Sequence, residues 1–117
     1  MGHMMLEAKN IKDILVVSLK KTTRLNALIV EAVKDQLLEF YNKPNARVVF
    51  DLKGIKYIDS SGFGVFLSAV KAANNNYGQF KICNVNPEVM ELFKLLQLHH
   101  LFEIYDELGP CLESFDR

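Results

Sequence analysis

The hydrophobic positions change their period several times along the chain. Leu6–Lys9 and Ile14–Leu19 read as two short strands paired as a hairpin across Asn10–Asp13. From Asn26 to about Tyr41 the period lengthens. Ile29, Val33, Leu37 and Phe40 form an apolar stripe, Glu31, Lys34 and Asp35 lie on the wet side, and Asn26 is placed to cap the resulting helix. Asn42-Lys43-Pro44-Asn45 ends it. Arg47–Leu52 (RVVFDL) is nearly continuous in apolar residues, as in a strand buried on both faces. Gly54 turns the chain, and Ile55–Ile58 leads into Asp59-Ser60-Ser61-Gly62. A helix is predicted from about Gly62 to Ala73; its only charge is Lys71, so most of its circumference must be covered. Gln79–Val85 is a further strand, in which Phe80 and Ile82 alternate with Gln79 and Lys81. Asn86-Pro87-Glu88 supplies a cap, a proline at the first helical position and an acid at the positive helix end, opening a helix to about Leu98. Phe102–Tyr105 and Leu108–Phe115 read as a last strand and a last helix. Strands alternating with helices predict an α/β domain with a partly parallel sheet.

Composition adds limits to that picture. The chain has 117 residues, of which 41 are Leu, Ile, Val or Phe, enough to rule out a disordered chain. A single domain of this size buries about two-thirds of its unfolded surface without metal or disulfide staples. Fourteen basic residues balance fourteen acidic ones. Neutrality argues against direct nucleic-acid binding, which needs a positive excess. The balance is uneven along the chain: residues 1–58 carry +4 and residues 59–117 carry −4. No apolar run approaches the roughly 20 residues of a membrane span, so no membrane insertion is expected and the location is expected to be cytoplasmic. Met1-Gly2-His3-Met4 is expected to be an expression remnant, leaving residues 5–117 as one domain. Cys83 and Cys111 form no CxxC pair and read as buried, reduced core thiols.

One segment departs from the alternation of core strand and core helix. In Asp59-Ser60-Ser61-Gly62-Phe63-Gly64, Asp59 or Ser60 can cap the following helix, and glycines at its start allow close approach by another backbone, a phosphate or a partner protein. Local spacing by itself favours ordinary helix capping over a functional site. A serine nucleophile lacks the Gly-x-Ser-x-Gly elbow, and His99 and His100 follow a leucine-rich helix as helix-end or surface residues. No phosphate-binding GxxxxGK[ST] is present, and no plausible metal ligand set exists. The reading is therefore a non-enzyme with no cofactor and no metal.

Val48-Val49-Phe50-Asp51-Leu52 followed by Tyr57-Ile58-Asp59-Ser60-Ser61-Gly62-Phe63-Gly64-Val65 resembles the signature of STAS domains, in the branch of bacterial anti-sigma factor antagonists. Glu91–Leu96 and Leu101–Tyr105 are also similar to that family. The resemblance spans about Leu6 to Phe115. It implies a single STAS-like domain with a mixed, mostly parallel sheet of four to five strands and about four helices. It also implies partner switching controlled by reversible phosphorylation of Ser60. The implied partners are an anti-sigma factor serine kinase, bound to ATP or ADP, and a PP2C-type phosphatase. Asp59, Ser61, Gly62, Phe63 and Gly64 would form the surrounding motif and partner surface.

The chain departs from the family at Thr23-Arg24-Leu25-Asn26, where many members have a Gly-Glu-Leu-Asp-like turn. Arg24 and Asn26 replace two acidic positions, with Lys20 and Lys21 just upstream. The resemblance implies that this turn lies beside Ser60. Thr23, Arg24 and Asn26 thus become possible partner contacts, and a basic turn there can pair with a phosphate on Ser60, meet an acidic partner, or simply be solvated. Two other functions compete with the first. One is a non-phosphorylated STAS interaction module, such as a scaffold or an accessory subunit of a lipid ABC transporter. The other is a small-molecule or nucleotide-binding domain.

Overall fold

The computed structural model describes residues 5–116; the expression remnant expected at Met1–Met4 lies outside the described residues. Strand β1 (Leu6–Ile11) turns back into β2 (Ile14–Leu19) as an antiparallel hairpin. Lys12 and Asp13 both take positive φ in the two-residue turn, the twist that matches a hairpin. β4 (Arg47–Asp51), β6 (Gln79–Cys83) and β7 (Glu103–Tyr105) then add in parallel beside β2, giving a five-stranded mixed sheet of order β1-β2-β4-β6-β7. β3 (Arg24–Leu25) and β5 (Tyr57–Ile58) form a separate parallel pair. The helices are α1 (Val30–Glu39), α2 (Ser60–Asn75), α3 (Pro87–Leu95) and α4 (Leu108–Glu113), the last continuing into a 3₁₀ turn at Ser114–Asp116. The α/β class, strand number and helix number agree with the sequence reading.

Because successive strand residues point to opposite faces, the sheet has two cores. Val17, Val48, Phe50, Phe80 and Ile82 pack beneath α1, α2 and α3. Phe66 of α2 is the hub of that core. Its ring lies 5.4 Å from Phe50 and 6.2 Å from each of Phe80, Phe93 and Phe102. On the other face, Ile14, Val49 and Cys83 pack against Cys111 and Phe115 of the C-terminal segment. Both cysteines are buried and unpaired.

Three expectations are corrected. Helix α1 begins at Val30, not Asn26. The Asn26 side chain instead accepts from the Leu28 amide at 3.0 Å and its carbonyl accepts from Ile29 at 3.1 Å, so residues 26–29 form a turn ahead of the helix. Helix α2 begins at Ser60 rather than Gly62, because Asp59 is its cap. The segment expected to be a turn at Thr23–Asn26 contains β3. Lys81, which alternates with the apolar Phe80 and Ile82, is itself only 4% exposed. The C-terminal segment folds over that face, and the ammonium donates to Ser114 Oγ at 2.7 Å, lies 3.4 Å from Glu103 Oε1 and stands 4.3 Å over the Phe115 ring. Alternation cannot reveal a second covering layer supplied from far along the chain.

The aromatic hub sets the stability of the domain. Phe66→Ala should cost about 3–5 kcal/mol in urea unfolding, the range for deleting a buried phenylalanine. Tyr77→Ala, at a position 83% exposed, should stay within about 0.5 kcal/mol.

Candidate functional site

The site grows out of the short β3–β5 pair. Arg24 lies beside Tyr57 and Leu25 beside Ile58. The Lys56 amide donates to Thr23 O at 2.8 Å and the Asp59 amide donates to Leu25 O at 3.1 Å, so the pairing continues past both ends of the two-residue strands. Arg24 and Tyr57 face solvent, with the guanidinium 5.7 Å from the ring centroid, while Leu25 and Ile58 are fully buried. Thr22 braces the turn, its hydroxyl accepting from the Arg24 amide and donating to the Arg24 carbonyl, both at 3.1 Å.

Asp59 joins the two segments. Its Oδ2 accepts from the Ala27 amide at 2.9 Å; its Oδ1 accepts from the Gly62 amide at 3.1 Å and from Ser61 Oγ at 2.5 Å. One carboxylate therefore caps α2 and fastens the loop before α1. The hydrogen bond from Ser61, aided by those from Gly62 and Ala27, holds the Asp59 carboxyl below the usual carboxylate range.

Ser60 is left over. It is exposed, none of the hydrogen bonds among the described residues uses its hydroxyl, and it is the first residue of α2. It sits in the first turn of α2, where the helix end carries a partial positive charge.

The two glycines after it differ. A Cβ on Gly62 would stand 2.6 Å from Ile58 Cγ2 and 3.0 Å from Leu25 Cγ; one on Gly64 would meet nothing within 4 Å. Gly62 is buried and spends its missing side chain on internal packing. Phe63, 3% exposed, points inward with its ring 4.8 Å from Phe93. Gly62 and Phe63, expected in the motif and partner surface, are buried in the free domain; Gly64 is half-exposed.

The structure sets Thr23 against Lys56 and Arg24 against Tyr57 on the strand that leads into Asp59, and brings the segment that holds Asn26 to the Asp59 carboxylate through the Ala27 amide. It leaves His99 and His100 on the loop between α3 and β7, rings 3.9 Å apart. The sequence reading missed Leu28, which is 92% exposed, and the lysines Lys53 and Lys56 on the β4–β5 loop. The apolar stripe sets Ile29 inward and leaves Leu28 off it, but periodicity gives no sign that the off-stripe leucine stands in a turn almost wholly in solvent.

Residues 5–110 match the STAS domain family. The chain belongs to the STAS domain family. It is 35% identical over 69 residues to an anti-sigma F factor antagonist of Paenibacillus polymyxa, covering 59% of this chain and 59% of that relative, less than two thirds of its length. It is 26% identical over 85 residues to an anti-sigma-B factor antagonist of Listeria monocytogenes, covering 73% of this chain and 75% of the relative. The fold is similar to that of an anti-sigma-factor antagonist (STAS) domain protein from Planctomyces limnophilus, with a TM-score of 0.87 over 96% and 98% of the two chains at 20% identity. Within this STAS domain, no helix among the described residues is long and apolar enough to cross a membrane.

Two measurements check the site geometry. Gly62→Ala should destabilise the STAS domain by about 1–3 kcal/mol through overpacking, whereas Gly64→Ala should be neutral or stabilising by up to about 1 kcal/mol through helix propensity. Equal effects would contradict the packing. The lowered Asp59 carboxyl contributes stability above its unfolded value of about 3.9, and that stability is lost as pH falls through the lower folded value. Melting temperature followed from neutral to acid pH should therefore fall less in Asp59→Asn than in the wild type.

Proposed function

We propose that this STAS domain is an anti-sigma factor antagonist that acts by partner switching, with Ser60 as its reversible phosphorylation site. The observation that carries the reading is the state of that serine. Its hydroxyl is exposed and free of the hydrogen bonds that engage Asp59 and Ser61 on either side, on the first residue of a 16-residue helix. The names of the Paenibacillus and Listeria relatives support the same role.

The partner is an anti-sigma factor that is also a serine kinase. It transfers the γ-phosphoryl group of ATP to Ser60 Oγ and keeps ADP. A PP2C-type phosphatase hydrolyses the ester and restores the serine. The unmodified domain binds the kinase and releases the sigma factor; the modified domain does not. It works in the cytoplasm by binding, not by catalysis.

Phosphorylation adds about −1.5 to −2 charges. At the start of α2 the helix dipole favours that charge, so the fold tolerates it. The complex bears the cost, through repulsion and desolvation at the contact. A coupling of about 1–3 kcal/mol changes affinity by about 5- to 150-fold without refolding.

Incubation with the cognate kinase and ATP should add one phosphate, located on Ser60 by mass spectrometry. Phosphate only elsewhere, or none, would contradict the reading. In affinity capture Ser60→Ala should retain the kinase and Ser60→Asp should lose it; equal capture of both would favour a non-phosphorylated interaction module.

A further inference from the structure

The loops beside Ser60 gather positive charge from two places in the sequence. Lys20, Lys21 and Arg24 follow β2; Lys53 and Lys56 follow β4. β2 and β4 are parallel neighbours with Val17 opposite Phe50, a register that brings Lys20 level with Lys53 as the strands end. Pairing of Arg24 with Tyr57 and the hydrogen bond from Lys56 to Thr23 keep the loops together further on. All five cations are exposed, and none takes part in the two ion pairs found among the described residues. Residues 20–28 and 53–61 contain one carboxylate, Asp59, so the two loops carry +4 and the rest of the neutral chain carries −4. Asp59 and the bordering Asp51 are both engaged as acceptors, Asp51 from the Lys53 amide and the Asn84 side chain at 3.0 Å each.

Two apolar groups stand in the same surface. Leu28 is 92% exposed and Tyr57 45%. Burying a leucine in a protein interface is favourable, and a phosphate backbone offers it no such contact. Tyrosine and arginine together are also the residue types that anchor protein interfaces.

From this surface we infer that the Ser60 end docks an acidic protein face, drawn in by Lys20, Lys21, Arg24, Lys53 and Lys56 and anchored on Leu28 and Tyr57. The inference rests on the partner-switching reading and names the chemistry of the partner. It also supplies the switch: a phosphate on Ser60 removes about half of the local positive charge and sets a negative group against an acidic partner. Opposite charges across such a contact steer association and are sensitive to salt.

The test uses the purified cognate anti-sigma factor and measures its affinity by interferometry between about 50 and about 300 mM salt. Affinity for the wild type should fall with salt. Lys20→Glu/Arg24→Glu/Lys56→Glu should weaken binding by about tenfold or more, and Leu28→Ala should speed dissociation. A control with Lys43→Glu and Lys94→Glu, both exposed and outside the two loops, should bind as the wild type does. Circular dichroism melting verifies that each variant is folded. Binding that ignores both salt and the triple reversal would overturn the acidic-partner inference while leaving the Ser60 reading intact. Binding by no form, together with an unmodified Ser60, would overturn both. Duplex DNA bound as tightly as the protein would overturn the inference in favour of a nucleic-acid surface.

Discussion

The Asp59 carboxylate is the constraint on which the site depends. Its two oxygens accept from Ala27 on one side and from Gly62 and Ser61 on the other. The β3–β5 pair beneath it has only two residues per strand, and so little ladder cannot by itself position a loop. With the carboxylate in place, the segment before α1 and the start of α2 become one surface. The same bonds occupy Ser61 and leave Ser60 uncommitted, which decides which of two adjacent hydroxyls is available for chemistry.

This surface rests on a rigid base. Gly62 lets Ile58 and Leu25 close against the backbone of α2, and Phe63 and Phe66 hold the helix in the aromatic core. A site at the end of such a helix stands on a firmly packed base. Control by added charge suits that rigidity better than control by a change of shape. The uneven distribution of a neutral total takes on meaning in the same place: the chain concentrates +4 on two loops and spreads −4 over the remainder.

Much of this was legible in the sequence. The alternation of RVVFDL with long apolar-striped segments specifies an α/β domain, and Asn86-Pro87 marks α3 correctly, its side chain accepting from Val89 at 2.8 Å. Asp59-Ser60-Ser61-Gly62 stands out because it interrupts the pattern. What stayed hidden depends on contacts distant in sequence. Asn26 is a good cap by type, yet Asp59, more than thirty residues away, captures the neighbouring amide and the turn runs on to Ile29. Lys81 reads as polar surface until Ser114 and Phe115 fold over it. Gly62 and Phe63 carry no local sign that they face inward, and Lys53 and Lys56 join the basic turn only through the parallel register of β2 with β4 and of β3 with β5.

On the proposed reading, the switch at Ser60 acts by local charge on a preformed surface held by Asp59. Amide chemical shifts of the chain before and after phosphorylation of Ser60 test it most directly. A switch by local charge should leave the changes confined to residues 20–28 and 53–65, with Ala27 and Gly62 still protected from exchange. Changes spread through β1, β6 and β7, or loss of protection at Ala27, would show that phosphorylation remodels the fold and would contradict it.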